Sequence, residues 1–189
     1  MEGAVVRNHN KRSYLFRFCI ASFLISIVSF APVVADTDRD DLSVAMKVLP
    51  LLDEKLPDAV ELSIVFNPSD AASKREADKI KTILDAGLQV PGGLRLISVL
   101  VPANDLNKIT GTRIVVLASG LSTYYGAIGN AVAGRSVLTL STDLECVKEH
   151  KCILGIVSKP HVEIYYSKEA AEKAKIAFGQ VFALLVTEI

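Results

Sequence analysis

The sequence predicts an α/β fold: one lobe built on a mostly parallel sheet, with helices on both faces and an antiparallel hairpin near the C-terminus. Three observations predict it. Short β-branched apolar runs alternate with segments of helical period, the pattern that crossover connections impose on a parallel sheet. The last two apolar runs are separated only by Ser158-Lys159-Pro160-His161, a hairpin-length link that implies an antiparallel pair. Residues 36–189 are enough to bury roughly 70% of the unfolded surface, so one core suffices without a metal or a disulfide framework.

The elements follow in order. Residues 41–52 place Leu42, Ala45, Val48, Leu49 and Leu52 on one helix face, and Pro50 kinks or ends that helix. Residues 61–66 (ELSIVF) read as a buried strand, broken by Asn67-Pro68-Ser69. The next helix is expected to be capped by Ser69 or Ser73. Ser73 and Glu76 have capping-box spacing, and Ala77, Ile80 and Leu84 form a stripe that stops near Gly87. Residues 94–101 predict a second strand, 102–109 a turn or short helix, and 113–118 a third strand. Residues 122–133 predict a helix weakened by Gly126 and Gly129, and 137–140 a fourth strand. Residues 152–157 and 162–166 form the hairpin. The spacing of Ala170, Ala174, Phe178, Val181 and Leu185 then predicts a closing helix over 168–188, with a break near Gly179.

The N-terminal segment reads as an address. Arg7, Lys11, Arg12 and Arg17 precede an uncharged run over 18–35, which ends in Val33-Val34-Ala35 and meets Asp36-Thr37-Asp38. This is the layout of a secretory signal peptide, with small side chains at positions −3 and −1 and Pro32 ending the apolar helix. Cleavage is expected after Ala35, leaving 1–35 as leader and 36–189 as an α/β domain in the periplasm. The competing reading is an uncleaved membrane anchor, since 18 such residues just suffice to cross a bilayer. A lipid anchor on Cys19 fits poorly, because that cysteine stands at the start of the apolar run. The whole chain balances 21 basic against 21 acidic residues, and the domain without its leader carries a net charge of −3. No basic footprint for nucleic acid is present.

Export alters the reading of the cysteines. Cys146 and Cys152 remain as an even pair in an oxidising compartment, joined by the polar Val-Lys-Glu-His-Lys spacer. A disulfide is the first expectation, and two buried free thiols the alternative. So short a loop yields only about 2–3 kcal/mol in the chain-entropy model, so the bond pins a turn more than it holds the domain together. Cys146, His150 and Cys152 offer three metal ligands and no evident fourth, so no metal is expected.

From Gly134-Arg135-Ser136-Val137-Leu138-Thr139-Leu140-Ser141, through the cysteine loop, to His161-Val162-Glu163-Ile164-Tyr165-Tyr166-Ser167 and the apolar tail, the sequence resembles the YfiR family of small exported proteins. The resemblance covers about the last third of the chain. Upstream, Ser63-Ile64-Val65-Phe66-Asn67-Pro68-Ser69-Asp70 and the Lys/Glu-rich segment after it look like the opening of periplasmic substrate-binding domains of the transporter type. The YfiR resemblance implies a periplasmic α/β domain that often represses a membrane-bound diguanylate cyclase and can respond to redox state. Residue by residue it reaches Gly134, Arg135 and the pair Cys146 and Cys152; the chain has no second cysteine pair, so any redox role rests on this one bond.

Other motifs carry less. Residues 129–136 match a phosphate-binding P-loop apart from Arg135 in place of lysine, but they end a helix and enter a strand, the reverse of a P-loop's setting. No Gly-x-Ser-x-Gly elbow is present, and no nucleophile, base and orienter can be named together, so no catalytic residue and no cofactor is expected. His150 and His161 read as solvated surface groups, and Tyr124 and Tyr125 either line a cleft or cover the sheet. In a doubly wound sheet, ligands settle beyond the carboxyl ends of the strands. Asn67 and Ser69, Ser119 and Ser122, and Ser141, Thr142 and Asp143 follow three such ends and form the candidate crevice; the same residue types are common turn formers.

Two functions follow. One is a non-enzymatic regulator or sensor of YfiR type that binds a membrane signalling partner, such as a diguanylate cyclase. The other is a small-solute-binding module of the transporter type, although such proteins close two lobes around a ligand and this domain supplies one. Homodimerisation is compatible with either. Ligand capture requires the crevice's polar side chains to converge; regulation requires an exposed patch.

Overall fold

The computed structural model describes residues 37–189, together with Gly3. The expected leader 1–35 and its cleavage site lie outside the described residues. No helix among the described residues is long and apolar enough to cross a membrane.

Seven strands form one sheet in the order β2-β1-β3-β4-β5-β6-β7. They are β1 (Ala59–Phe66), β2 (Arg95–Pro102), β3 (Ile114–Leu117), β4 (Leu138–Ser141), β5 (Leu154–Val157), β6 (Glu163–Tyr166) and β7 (Thr187–Glu188). The first five run parallel, β5 and β6 pair antiparallel, and β7 lies parallel to β6. The expected α/β architecture is thus the one observed.

Side-chain alternation divides the core into two layers. Leu62, Ile64, Ile114, Val116, Leu138 and Leu140 face one side, where they pack on α1 (Arg39–Val48), α2 (Ala71–Asp85) and α5 (Lys168–Ala174). Val65, Val115 and Leu117 face the other, under α3 (Tyr125–Val132) and α4 (Leu144–Lys148). Successive residues of a strand point to opposite faces, so an unbroken apolar run such as IVVL in β3 marks a strand covered on both sides.

The boundaries depart from expectation where local chemistry decides them. Helix α1 starts at Arg39 because Asp38 caps it in a reciprocal box with Asp41, and it tightens into a 3-10 turn at Leu49–Leu51 where Pro50 removes a donor. Helix α2 is capped by Asp70, whose carboxylate accepts the Ala72 amide, and not by Ser69 or Ser73. Ser73 is wholly buried, and its hydroxyl accepts the Asn67 amide. The expected long closing helix is overturned: α5 ends at Ala174, where Lys175 turns left-handed at φ 61°. Beyond it, Phe178 stacks on Phe182 at 3.8 Å and Tyr166 meets both rings edge-on. Docking these rings on the sheet, with Phe182 buried in the first layer, overrides the helical period and lets the chain add β7 at the edge.

The Asp38 carboxyl is held below its ordinary value near 3.8, first by the hydrogen bond from Lys159 and then by the Asp41 and Asp40 amides. A lowered folded-state value gives stability that is present above the unfolded value and lost as pH falls through the folded one. Urea unfolding midpoints should therefore drop as pH is taken below about 4. Asp38→Asn, which keeps a capping oxygen, should flatten part of that drop.

Candidate functional site

Of the expected residues at the carboxyl ends of β1, β3 and β4, Ser119 and Thr142 are drawn toward Glu76, a side chain the sequence offered only as a capping-box partner of Ser73. Glu76 of α2 is 4% exposed. Its Oε1 accepts the Thr37 amide at 3.0 Å and the Thr37 hydroxyl at 2.6 Å, and its Oε2 accepts the Ser119 amide at 2.7 Å. Because the Thr37 hydroxyl proton goes to Glu76, the Thr142 hydroxyl donates to Thr37 Oγ1, at 2.9 Å. The carboxylate of Glu76 therefore occupies the strand-end amide that an incoming acid would use.

The remaining crevice groups also bond among themselves. Asn67 donates from Nδ2 to the Gly120 carbonyl and accepts the Ser69 amide on Oδ1. Gly120 turns the chain after β3 at φ +74°, and a Cβ there would stand 2.6 Å from Asp70 Oδ2, so only glycine fits. Ser141 Oγ accepts the Asp143 amide; Asp143 caps α4 through the Glu145 amide and takes the Tyr125 hydroxyl proton on its other oxygen. Burial first, and then the Asp143 carboxylate, push the Tyr125 hydroxyl up, which keeps it protonated as the donor. Ser122 is exposed in a 3-10 turn before α3. The space left beside Thr37, Ser141 and Thr142 measures about 10 Å³. That is room for about one water molecule, not for a metabolite.

Tyr125 is therefore a core residue that covers the sheet, and Tyr124 packs partly buried against the same layer. The 129–136 segment also behaves as its context implies. Helix α3 ends at Val132, Gly134 follows at φ +70°, and Arg135 donates to the carbonyls of Ala131, Ile109 and Thr110. The guanidinium ties a helix end to a neighbouring loop and is not presented to a phosphate.

Cys146 in α4 and Cys152 before β5 are joined by a disulfide with Cα atoms 5.3 Å apart, and both are fully buried in the second layer. Oxidation to each other removes the two sulfur ligands that a zinc reading required. Between them the chain turns at His150, with φ 55°. Contrary to the solvated reading, this side chain is half-buried, with Nδ1 2.9 Å from Ser167 Oγ, the cap of α5. The loop thereby joins α4, β5 and α5.

Glu76 was expected to close a capping box with Ser73 and instead lies buried under the strand ends, and Thr37 carried no expected role. The signal was present: Glu76 sits at helical spacing with Ser73, Ile80 and Leu84 on the buried stripe of α2, where a carboxylate needs donors.

No family model matches the chain, and no curated protein matches it. Among solved structures it is similar to a conserved domain protein from Vibrio cholerae (12% identity, TM-score 0.51). It is also similar to the ABC domain from Streptococcus pneumoniae solved with L-Trp (10%, 0.53). A third is a ligand-free, open substrate-binding protein with adhesive properties from Clostridium difficile (9%, 0.55). Each match covers 79% of this chain and 58–59% of the other, so the chain spans about three fifths of the length of these proteins. At such identity the likeness is one of fold.

Glu76→Ala strands the buried amide of Thr37 and the part-buried amide of Ser119 and should cost about 3 kcal/mol in urea unfolding, with Glu76→Gln losing less. Cys146→Ser should cost about 2–3 kcal/mol by the same measurement, without changing the secondary structure seen by circular dichroism.

Proposed function

We propose that this chain is an exported, non-enzymatic regulator of the YfiR type that engages a membrane-bound signalling protein, a diguanylate cyclase in the family it resembles. One observation carries the reading. The strand-end crevice is closed by the protein's own Glu76, whereas the large exposed apolar side chains gather on the C-terminal segment. Of the six such side chains among the described residues, Val181, Leu184, Leu185 and Ile189 lie there, with Leu184 84% exposed.

Physical chemistry supports a docking role for that segment. Phe178 and Phe182 hold it to the sheet through Tyr166, so Val181, Leu184 and Leu185 project from an anchored backbone. Ordered apolar groups lose little conformational freedom on binding, and clustered ones mark interaction surfaces. Strand β7 is the last of the sheet, so its outer edge offers backbone groups for strand addition beside the same side chains.

A second reading, a small-solute-binding module, draws support from the fold shared with substrate-binding proteins. The 10 Å³ left in the crevice argues against capture there.

A photo-crosslinking residue placed at Val181 tests the proposal in cells. The expected product is a conjugate with an integral membrane cyclase, whose cyclic dinucleotide output rises when this protein is deleted. Leu184→Asp should reduce the conjugate about thirtyfold, as expected for a central anchor. Deletion that leaves cyclic dinucleotide levels unchanged, with no signalling protein in the conjugates, would sink the regulator reading.

A further inference from the structure

A cleft of about 230 Å³ lies between α3 and α5 at the amino end of the sheet, opposite the crevice. Its floor is formed by Val132, Ile153 and the buried Thr139, and its rim carries His150, Lys151 and Lys173. Two features make it a formed cleft and not a gap between loose loops. The disulfide and the His150–Ser167 contact fix the loop that carries Lys151, and the Gly134 amide donates to the Lys173 carbonyl at 2.7 Å, fixing the end of α5. Along α3, Gly126 leaves open space where a side chain would stand, with no atom within 4 Å of a Cβ built there.

Charge and size define the ligand. Glu169 binds Lys173 at 2.5 Å and lies 4.0 Å from His150 Nε2, so it neutralises one of the two rim ammonium groups. Lys151 acts on the same carboxylate without an ion pair among the described residues, so two ammonium groups and one carboxylate leave the rim a net single positive charge. The volume falls below the roughly 300 Å³ at which drug-sized sites begin. We propose that this cleft binds a small organic monocarboxylate, its acid group at Lys151 and its apolar body against Val132 and Ile153. A dicarboxylate or phosphate dianion would carry excess charge over a mostly apolar floor, at a desolvation cost that a net single positive charge does not offset. This site is separate from the C-terminal docking segment and does not rest on it.

Titration of the purified protein with benzoate, phenylacetate and inorganic phosphate, followed by amide NMR, tests the assignment. Both carboxylates should shift the Gly129, Lys151 and Ala170 amides saturably, and phosphate should not. Lys151→Gln should weaken benzoate binding roughly tenfold. Gly126→Leu fills the cleft while improving the helix propensity of α3, so it should abolish binding in a protein that remains folded. The proposal is overturned if neither carboxylate gives saturable shifts, if phosphate binds as tightly as benzoate, or if both variants bind benzoate like the wild type.

Discussion

A buried carboxylate needs donors wherever the chain can supply them, and the carboxyl end of this sheet is arranged around meeting that need for Glu76. Two backbone amides and a hydroxyl converge on it, from the segment before α1 and from the turn after β3. These contacts join parts of the chain 39 and 43 residues from Glu76. They fix where α1 enters, and through Thr142 they reach the end of β4. In an open α/β sheet the strand ends are where ligands usually sit. Here the same geometry is used by an internal acid, so the position at the strand ends is occupied from within.

The opposite margin of the sheet depends on a different constraint. Helix α4 lies so close to β5 that a Cβ at Gly155 would come within 2.8 Å of Leu144 and 2.9 Å of Val147. The Cys146–Cys152 bond closes the short loop between these two elements, and His150 passes that order on to the cap of α5. The loop is thus a junction between both faces of the sheet, which is why its positions are fixed despite its polar, charged sequence. The turn at Lys175 then releases the chain from α5 and allows the phenylalanine pair to seat.

Likeness of fold and likeness of site part company in this molecule. The solved structures it resembles are longer chains, and the shared portion is a scaffold. On that scaffold this chain disposes its polar and apolar side chains in two ways. The polar ones at the strand ends are mutually satisfied, and the apolar ones near the C-terminus are exposed. The first arrangement combines local turns such as Ser141–Asp143 with pairings between residues far apart in sequence, Asn67 with Gly120 and Glu76 with Ser119. The second depends on where a helix stops.

Periodicity and composition by themselves determined the α/β class, every strand through β6, the antiparallel hairpin and the cysteine pair, because each rests on local spacing or on counting. Asn67, Ser119, Ser141 and Asp143 were legible as strand-end residues for the same reason. Tertiary structure alone decided that Asn67 reaches the Gly120 carbonyl, that Glu76 takes the Ser119 amide, that Asp143 accepts the Tyr125 hydroxyl, that Asp70 and not a serine caps α2, and that the final helix ends at Ala174. A carboxylate on an apolar stripe and a helical repeat of aromatics each have two outcomes in isolation. Only the partners that folding brings within reach, donors for Glu76 and a tyrosine ring for the two phenylalanines, select between them.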